Sequence, residues 1–305
     1  MPTPSGPRRS EHPSTYVIQD RKNEKELTRL TIQDHLVTTA MGGVLPEQAD
    51  PTVFHRVLDV GCGPGGWIIE TAKTYPTMSL VGIDISQRMI KYARTQAEAH
   101  QINDRIEFHV MDALRTLEFP AASFDLVNLR FGISYLRTWD WPKILNELLR
   151  VTRPGGVVRV TDSETVQPSN SPALKRLFEM GQCALDRAGH LFTQETTGLT
   201  AHLPQLLNQQ GCEQVQVKAY AIVYQAGTLE GQAHYEDLML MFQTARPFIE
   251  KWGCAARDYG AVYRQALDEM RQSDFYATWN LFTAWGVASP NQNHNSSNNN
   301  WSNSL

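Results

Sequence analysis

The chain contains few cysteines, and their spacing offers no zinc site. The four cysteines among its 305 residues are far apart and form no C-x-x-C pair: Cys62, Cys183, Cys212 and Cys254. Zinc sites and small disulfide-stabilised domains have closely spaced cysteines. The sequence therefore predicts neither a bound metal nor a disulfide framework, and it is consistent with a reducing compartment such as the cytoplasm.

Long apolar runs and an excess of positive charge are also absent. No stretch reaches the roughly 18 to 20 apolar residues that span a bilayer, and the polar first residues do not resemble a secretory signal. With 28 Lys and Arg against 32 Asp and Glu, the chain lacks the concentrated basic surface that nucleic acids require. The basic residues nearest the N-terminus are interpreted as part of a solvated tail: Arg8, Arg9, Arg21, Lys22 and Lys25.

These absences argue against a zinc protein, a membrane-spanning protein and a nucleic-acid-binding protein. We expect a cytoplasmic protein that acts on a small molecule, with no nucleic-acid partner and no membrane span. Formation of a homo-oligomer is left open.

An apolar segment that ends in a glycine-rich turn is the most informative feature that the sequence does have. Residues 57–60 lead into Gly61, Gly63 and Gly66, which satisfy the spacing G-x-G-x-x-G. Glycines leave no Cβ between the backbone and a ligand, so N–H groups and the N-terminus of the following helix can approach it closely. The turn therefore predicts a site for a nucleotide-like cofactor.

Carboxylates follow the next two predicted strands. Asp84 ends the strand over residues 80–83, and Asp112 follows the strand over residues 106–110. The carboxyl ends of parallel strands meet at one edge of a sheet, where ligands of this class bind. Two further strands, over residues 124–128 and 157–161, are separated by a helix and a Pro-Gly-Gly turn. This alternation predicts a parallel sheet covered by helices.

In this order the motifs resemble those of class I S-adenosylmethionine-dependent methyltransferases, within the branch that includes ubiquinone/menaquinone C-methyltransferases. The resemblance covers residues 55–165 and rests on Asp59-x-Gly61-x-Gly63, Asp84, Asp112-Ala113, Phe124-Asp125-Leu126-Val127, Phe131-Gly132-Ile133 and Arg153-Pro154-Gly155-Gly156. It implies an α/β fold: a Rossmann-like, seven-stranded, mostly parallel sheet with helices on both faces, plus helical cap or lid insertions.

The resemblance also implies S-adenosylmethionine as the cofactor and suggests which residues bind each part of it. Asp84 is expected at the ribose, Asp112 with Ala113 and Leu114 at the adenine, and Asp59 with the backbone of Gly61 and Gly63 at the methionine end. Further residues expected at the cofactor are Ile85, Met89, Asn128, Arg130 and Tyr16. Two of these have open alternatives: Arg130 as a structural ion pair, and Tyr16 as a surface tyrosine.

The chain is divided into five segments. We expect an N-terminal arm and cap helices over 1–50, the core over 51–228, a helical lid insertion over 229–274, a final antiparallel edge strand over 275–290 and a disordered tail over 291–305. The lid is predicted because apolar residues between the sixth and seventh strands have helical spacing. In the simplest cores of this family these two strands form a close hairpin, so the segment is an insertion.

The acceptor is predicted to be a small, partly apolar molecule that is methylated most readily on carbon or oxygen. Asp162 and Glu164 follow the fifth strand, and His190 ends the next helix, so these three are the candidate catalytic residues. In an extended segment the side chains of Asp162 and Glu164 point the same way. Glu164 is preferred, since Asp162 is close enough to the strand to cap the turn. No metal is predicted.

Two other functions share this type of fold. An NAD(P)-dependent oxidoreductase would use the same glycines and Asp84, but no Tyr-x-x-x-Lys pair follows the fourth strand. A non-catalytic cofactor-binding regulator would tolerate loss of the glycines and carboxylates, which are intact here.

Overall fold

The computed structural model describes residues 16–18 and 24–289. The expected arm over 1–15, the tail over 291–305 and the basic residues Arg8, Arg9, Arg21 and Lys22 lie outside the described residues.

Seven strands form one sheet. They are β1 (Arg56–Val60), β2 (Ser79–Asp84), β3 (Ile106–Val110), β4 (Phe124–Arg130), β5 (Thr152–Ser163), β6 (Cys212–Gln225) and β7 (Tyr276–Ala288). Their order is β3-β2-β1-β4-β5-β7-β6, with β1 to β5 parallel and β7 antiparallel to both of its neighbours. The mostly parallel, seven-stranded sheet is confirmed. The expected position of the last strand at the edge is wrong, because β7 lies between β5 and β6.

Eight α-helices are present in the described part of the chain. They are α1 (Glu24–Ala40), α2 (Gly66–Thr74), α3 (Gln87–Ala99), α4 (Trp141–Val151), α5 (Pro172–Ala188), α6 (Leu203–Gln209), α7 (Leu229–Lys251) and α8 (Tyr259–Glu269). A 3₁₀ turn, Gly132–Ser134, follows β4. None of these helices is long and apolar enough to cross a membrane.

Side chains alternate between the two faces of the sheet. In β1, Leu58 and Val60 pack into the cluster that includes α4 and α6, whereas Val57 packs with α2 and α3. Adjacent residues of a strand point to opposite faces, so a strand that is apolar at successive positions has to be covered twice. Helices on both faces are therefore a direct consequence of the apolar strands.

Local sequence signals define the ends of two helices that border the carboxyl edge of the sheet. The Ser86 hydroxyl accepts from the Met89 backbone N–H at the start of α3, and the Ser171 hydroxyl accepts from the Leu174 N–H at the start of α5. Gly189 ends α5 with a φ of 84°, in the left-handed conformation that glycine adopts without strain.

The helices between β6 and β7 pack against the N-terminal helix and against α5. Arg29 of α1 pairs with Glu26 (2.9 Å) and also with Asp237 of α7 (3.3 Å), and all three side chains are buried. Phe178 of α5 and Phe242 of α7 make an edge-to-face contact at 5.1 Å between ring centres. The segment expected as a lid is thus a packed helical layer in this structure, and its closure over a ligand stays a prediction.

One disulfide contradicts the expectation from cysteine spacing. Cys183 of α5 and Cys254, which follows α7, are 71 residues apart in sequence, and their Cα atoms lie 5.9 Å apart with the sulfurs bonded. The expectation of no disulfide was wrong because the packing of α5 against the insertion, rather than local spacing, brings the two cysteines together.

Candidate active site

A cavity of about 340 Å³ lies at the carboxyl ends of the central strands. One wall comes from residues at the ends of β1 to β4: Asp59, Gly61, Gly63, Asp84, Ile85, Met111, Asp112 and Arg130. A second set of lining residues is apolar or aromatic and comes from residues 16–18, α5, α7 and β7: Tyr16, Ile18, Phe178, Leu185, Met241, Phe242, Phe248 and Trp279. Polar groups at the strand ends and aromatic groups from other elements therefore line a single cavity.

The glycine turn after β1 is shaped for close approach of a ligand. Gly61 and Gly63 have φ angles of 71° and 51°, which residues other than glycine rarely adopt. A Cβ on Gly61 would lie 2.9 Å from the Tyr135 hydroxyl oxygen, whereas one on Gly63 would meet no described atom within 4 Å. Gly63 therefore presents bare backbone to the cavity at the N-terminal side of α2.

Asp84 is held rigidly at the end of β2. One carboxylate oxygen accepts from the Gly63 N–H (3.0 Å) and the other from the Ser86 N–H (2.7 Å). Each carboxylate oxygen can accept a second hydrogen bond. Asp84 is thus fixed in place on the cavity wall.

A second carboxylate lies beside it at the end of β3. The Met111 N–H donates to the Asp84 backbone oxygen (3.0 Å), which joins the two strand ends. Asp112 then accepts from the Leu114 N–H (3.0 Å), while Ala113 and Leu114 remain half-buried on the cavity wall. Apolar surface and a carboxylate edge are what an adenine ring with its amino group would contact.

Asp59 belongs to a chain of four buried polar side chains that runs across the sheet. Its carboxylate accepts from the Asn128 amide nitrogen (2.8 Å), and the Asn128 oxygen accepts from Arg159 (2.7 Å). Arg159, in the middle of β5, pairs with Glu47 (2.7 Å). Burial raises the pKa of Asp59 to about 7. Although burial opposes ionisation of Glu47, the Arg159 guanidinium brings the pKa of Glu47 below its ordinary value.

This chain determines which way the Asn128 amide points. A guanidinium donates hydrogen bonds and cannot accept them, so the amide oxygen has to face Arg159 and the amide nitrogen faces Asp59. Asp59 therefore accepts a hydrogen bond on one oxygen and lies on the cavity wall. Ionisation of its buried carboxyl group is costly. A bound cation would offset that cost.

Arg130 and Tyr16 both line the cavity, and the structure gives each a protein partner. Arg130 forms an ion pair with Asp34 of α1. The Tyr16 hydroxyl donates to Glu26 (2.6 Å), in the buried ion cluster between α1 and α7. Of the two alternatives for Arg130, the structure therefore shows the ion pair.

The three candidate catalytic residues do not come together. Glu164 lines the cavity, and its carboxylate accepts from the Asn280 amide (2.8 Å). Asp162 is buried, and its carboxylate accepts from the backbone N–H groups of Ile133 (2.9 Å) and Ser163 (3.0 Å). His190 is also buried, with its Nδ1 atom 2.7 Å from the Ile133 oxygen.

Asp162 and His190 therefore both hydrogen-bond to Ile133 in the 3₁₀ turn after β4. Neither residue lines the cavity. The expectation that all three face the acceptor is not met. Strand β5 ends at Ser163, one residue before Glu164. Burial raises the pKa of Asp162 to about 7 and lowers the pKa of His190 to about 4.

Several cavity residues were not singled out from the sequence. Tyr135 follows the 3₁₀ turn, and Gln167 follows β5. On α7 the lining residues Met241, Ala245 and Phe248 are three or four positions apart, as expected for one face of a helix. The spacing predicts an apolar face, but only packing decides that this face meets a cavity rather than a closed core.

Comparisons with known proteins show similarity to methyltransferases. Residues 57–156 match the family model described as a methyltransferase domain. Demethylmenaquinone methyltransferase of Deinococcus radiodurans is 35% identical over 150 residues, which cover 49% of this chain and 59% of that protein. 27-O-demethylrifamycin SV methyltransferase of Amycolatopsis mediterranei is 26% identical over 253 residues, or 82% of this chain and 77% of that protein.

A solved structure shares the fold at lower identity. Phosphoethanolamine N-methyltransferase 2 of Haemonchus contortus, in complex with S-adenosyl-L-methionine, superposes with a TM-score of 0.53 at 19% identity, covering 90% of this chain and 60% of that one. The chain spans about half the length of the first demethylmenaquinone methyltransferases that it matches. The match to the methyltransferase domain is confined to residues 57–156, which hold β1 to β4 and the start of β5.

The buried chain ending at Asp59 generates a prediction about stability. Replacing Arg159 by Met should destabilise the protein by about 3–5 kcal/mol, because Glu47 is left buried without its partner. The double variant Glu47→Leu/Arg159→Met should recover much of that loss. Urea unfolding at pH 7 measures both values. The exposed pair Arg176 and Asp258 is the control, since Arg176→Met should cost no more than about 1 kcal/mol. A double variant less stable than Arg159→Met would contradict this account.

Proposed function

We propose that this protein binds S-adenosylmethionine at the strand ends and transfers its methyl group to a small, partly apolar acceptor. The observation that carries the proposal is that the glycine turn, Asp59, Asp84 and Asp112 line one cavity together with aromatic side chains from other elements. When bound, the cofactor supplies a methyl group on a positively charged sulfur.

The residues of the polar wall suit the separate parts of this cofactor. Asp84 would accept both ribose hydroxyls, because hydrogen bonds from the Gly63 and Ser86 N–H groups hold its carboxylate in position at the strand end. Asp112 with Ala113 and Leu114 would contact the adenine, with Ile85 and Met89 also on the wall. Asp59, positioned by Asn128 and flanked by the Gly61 and Gly63 backbone, would pair with the ammonium group.

Arg130 and Tyr16 complete the mouth of this site. Because Arg130 is paired with Asp34 and Tyr16 with Glu26, we assign them to shaping the wall around the methionine end. Both residues contact α1 and line the cavity, so the position of the N-terminal helix would affect the shape of the cofactor site.

The aromatic wall supports an apolar acceptor. Phe178, Phe242 and Phe248 present ring surface to the cavity from α5 and α7. Methyl transfer is a displacement that gains chiefly from holding the two reactants in line. A base is needed only when the acceptor has to lose a proton, as in methylation of a hydroxyl or an activated carbon. Glu164 is the carboxylate that we place beside such a proton.

Alternatives within the same fold receive less support. An oxidoreductase would need a site for nicotinamide and a proton donor, whereas the wall opposite the glycine turn carries chiefly aromatic and aliphatic groups. A regulator without turnover has no need of an acceptor chamber. The net charge of −4 supports a small-molecule acceptor over nucleic acid.

We retain the cytoplasm as the proposed location. The Cys183–Cys254 disulfide counts against it, because thiols are mostly reduced there.

The role of Asp84 can be measured directly. Asp84→Ala should weaken binding of S-adenosylhomocysteine by about 1–3 kcal/mol, the usual loss when hydrogen bonds to a charged group are removed. Isothermal titration calorimetry gives the affinity, with Asp104→Ala as the control because Asp104 is not on the cavity wall. Tight binding of NADH together with no binding of S-adenosylhomocysteine would overturn the assignment.

Asp59 predicts a pH dependence of binding. Its folded-state pKa is about 7, so the carboxyl is largely neutral below pH 7 and pairs fully with the ligand ammonium only above it. Affinity for S-adenosylhomocysteine should therefore rise between pH 6 and pH 8, and Asp59→Asn should bind weakly with a flat profile. Asp162→Asn is the matched control, because Asp162 has a similarly raised pKa and lies off the cavity. An unchanged profile in Asp59→Asn would exclude the pairing.

Glu164 is expected to act on the acceptor and not on the cofactor. Glu164→Gln should lower turnover by roughly 100-fold or more while affinity for S-adenosylhomocysteine stays nearly unchanged. Asn280→Ala, which removes the partner of Glu164, should give a smaller loss. Turnover of Glu164→Gln within a few-fold of wild type would show that no base acts from this position.

A further inference from the structure

One covalent bond joins two of the helices that line the cavity. On α5, Leu185 lines the cavity two residues after Cys183. On α7, Phe248 and Ile249 line it from the last turn of the helix. Cys183 is bonded to Cys254, which lies three residues beyond the end of α7. The disulfide therefore fixes the end of α7 to α5 where both helices contribute to the cavity lining.

Hydrogen bonds attach Cys254 firmly to the end of α7. Gly253 follows the helix in the left-handed conformation, with a φ of 67°. The Gly253 N–H donates to the Glu250 oxygen (3.0 Å), and the Cys254 N–H donates to the Ile249 oxygen (3.0 Å). This pair of hydrogen bonds is the Schellman arrangement that ends many helices. Cys254 is thus bonded directly to a residue of the cavity lining, so a displacement of one moves the other.

Noncovalent contacts hold the same two helices together without the disulfide. The Arg187 guanidinium of α5 donates to the backbone oxygens of Trp252 (2.9 Å) and Gly253 (3.2 Å). Phe178 of α5 contacts Phe242 of α7 edge to face. Packing of this layer therefore does not depend on the covalent bond alone. We expect a chain without the bond to stay folded, with a looser junction between α5 and the end of α7.

The surroundings of the bond favour its reaction with a small thiol. Cys183 and Cys254 are both partly exposed to solvent. Arg187 lies four residues after Cys183, one turn along the same face of α5, and it binds the carbonyl group that immediately precedes Cys254. Positive charge beside a cysteine stabilises the thiolate that leaves when a disulfide opens. The guanidinium therefore promotes opening of this bond.

The other two cysteines are unsuited to such chemistry. Cys62 and Cys212 are buried free thiols. Burial raises the pKa of Cys62 well above its ordinary value and raises the pKa of Cys212 to about 12. The thiolate is the form that reacts, so buried thiols of this kind are inert. Thiol–disulfide exchange is therefore confined to the pair that joins α5 and α7.

We propose that Cys183–Cys254 is a redox modification site, which a low-molecular-weight thiol of the glutathione type opens and the disulfide of that thiol closes. Its state determines how firmly the end of α7 is held at the cavity. In the bonded form the lining residues Phe248 and Ile249 are fixed to α5, and in the opened form the end of α7 is able to separate from it. The proposal goes beyond methyl transfer, since it concerns the cavity wall whatever molecule fills the cavity.

The chemistry consists of two thiol–disulfide exchanges. A small thiolate attacks one cysteine sulfur, the bond between Cys183 and Cys254 breaks, and a mixed disulfide and one cysteine thiolate form. A second small thiolate attacks the small-thiol sulfur of that mixed disulfide and releases the other cysteine. The two cysteine thiolates take up the two protons that the small thiols lost. Two electrons thereby pass from two small thiols to the protein, and the small thiols leave joined as their disulfide.

The full chain is equilibrated in mixtures of reduced and oxidised glutathione, and free thiols are alkylated and located by mass spectrometry. Cys183 and Cys254 should gain and lose their thiols together and reversibly, whereas Cys62 and Cys212 should remain thiols in every mixture. Hydrogen exchange on the same samples measures the junction. Amides of residues 249–254 should exchange roughly tenfold faster after reduction, because the last turn of α7 opens more often, while amides of β4 keep their protection.

The double variant Cys183→Ser/Cys254→Ser should fold and show the fast exchange in every mixture. Cys212→Ser removes a free thiol and is the matched control, which should respond as wild type does. Circular dichroism in the far ultraviolet checks that the reduced chain stays folded. The proposal is wrong if reduced glutathione does not open the bond, if reduction unfolds the chain, if exchange over residues 249–254 is unchanged, or if the double variant fails to fold.

Discussion

The positive charge of Arg159 in the middle of a buried strand is the constraint on which much of this structure depends. A guanidinium in that position has to be paired and hydrogen-bonded, because the cost of burying it unpaired is prohibitive. Glu47 supplies the countercharge, and Asn128 takes the remaining direct contact. The orientation of Asn128 then determines the hydrogen bond to Asp59. A structural ion pair thereby positions a carboxylate on the cavity wall.

A second buried ion cluster joins the N-terminal helix to α7. Arg29 of α1 contacts both Glu26 and Asp237 of α7, and Glu26 also accepts from Tyr16. The N-terminal helix and the insertion are therefore joined through charges that are largely buried. Because both elements line the cavity, the shape of the cavity depends on their remaining together. Any opening of this layer would have to separate buried charges, which favours motion of the layer as one unit.

Asp59 and Asp162 show why an unusual pKa does not by itself identify a functional group. Burial raises both pKa values to about 7. Asp162 accepts from two backbone N–H groups and closes the turn after β4, away from the cavity. Asp59 receives a single amide hydrogen bond and lies on the cavity wall. The two carboxyl groups differ in their surroundings, because packing places one against a backbone turn and the other on the cavity wall.

The first five strands, the glycine turn and the strand-end positions of Asp84 and Asp112 were predictable from the sequence, because these follow from apolar runs, local turn geometry and the shared edge of parallel strands. Three other features became visible only in the folded chain: Asp162 binds the turn after β4, Gln167 lies on the cavity wall, and Cys183 is bonded to Cys254. Each of these depends on a contact between segments distant in sequence or on where a strand stops. Local patterns carry no information about such contacts, since they arise when whole elements pack.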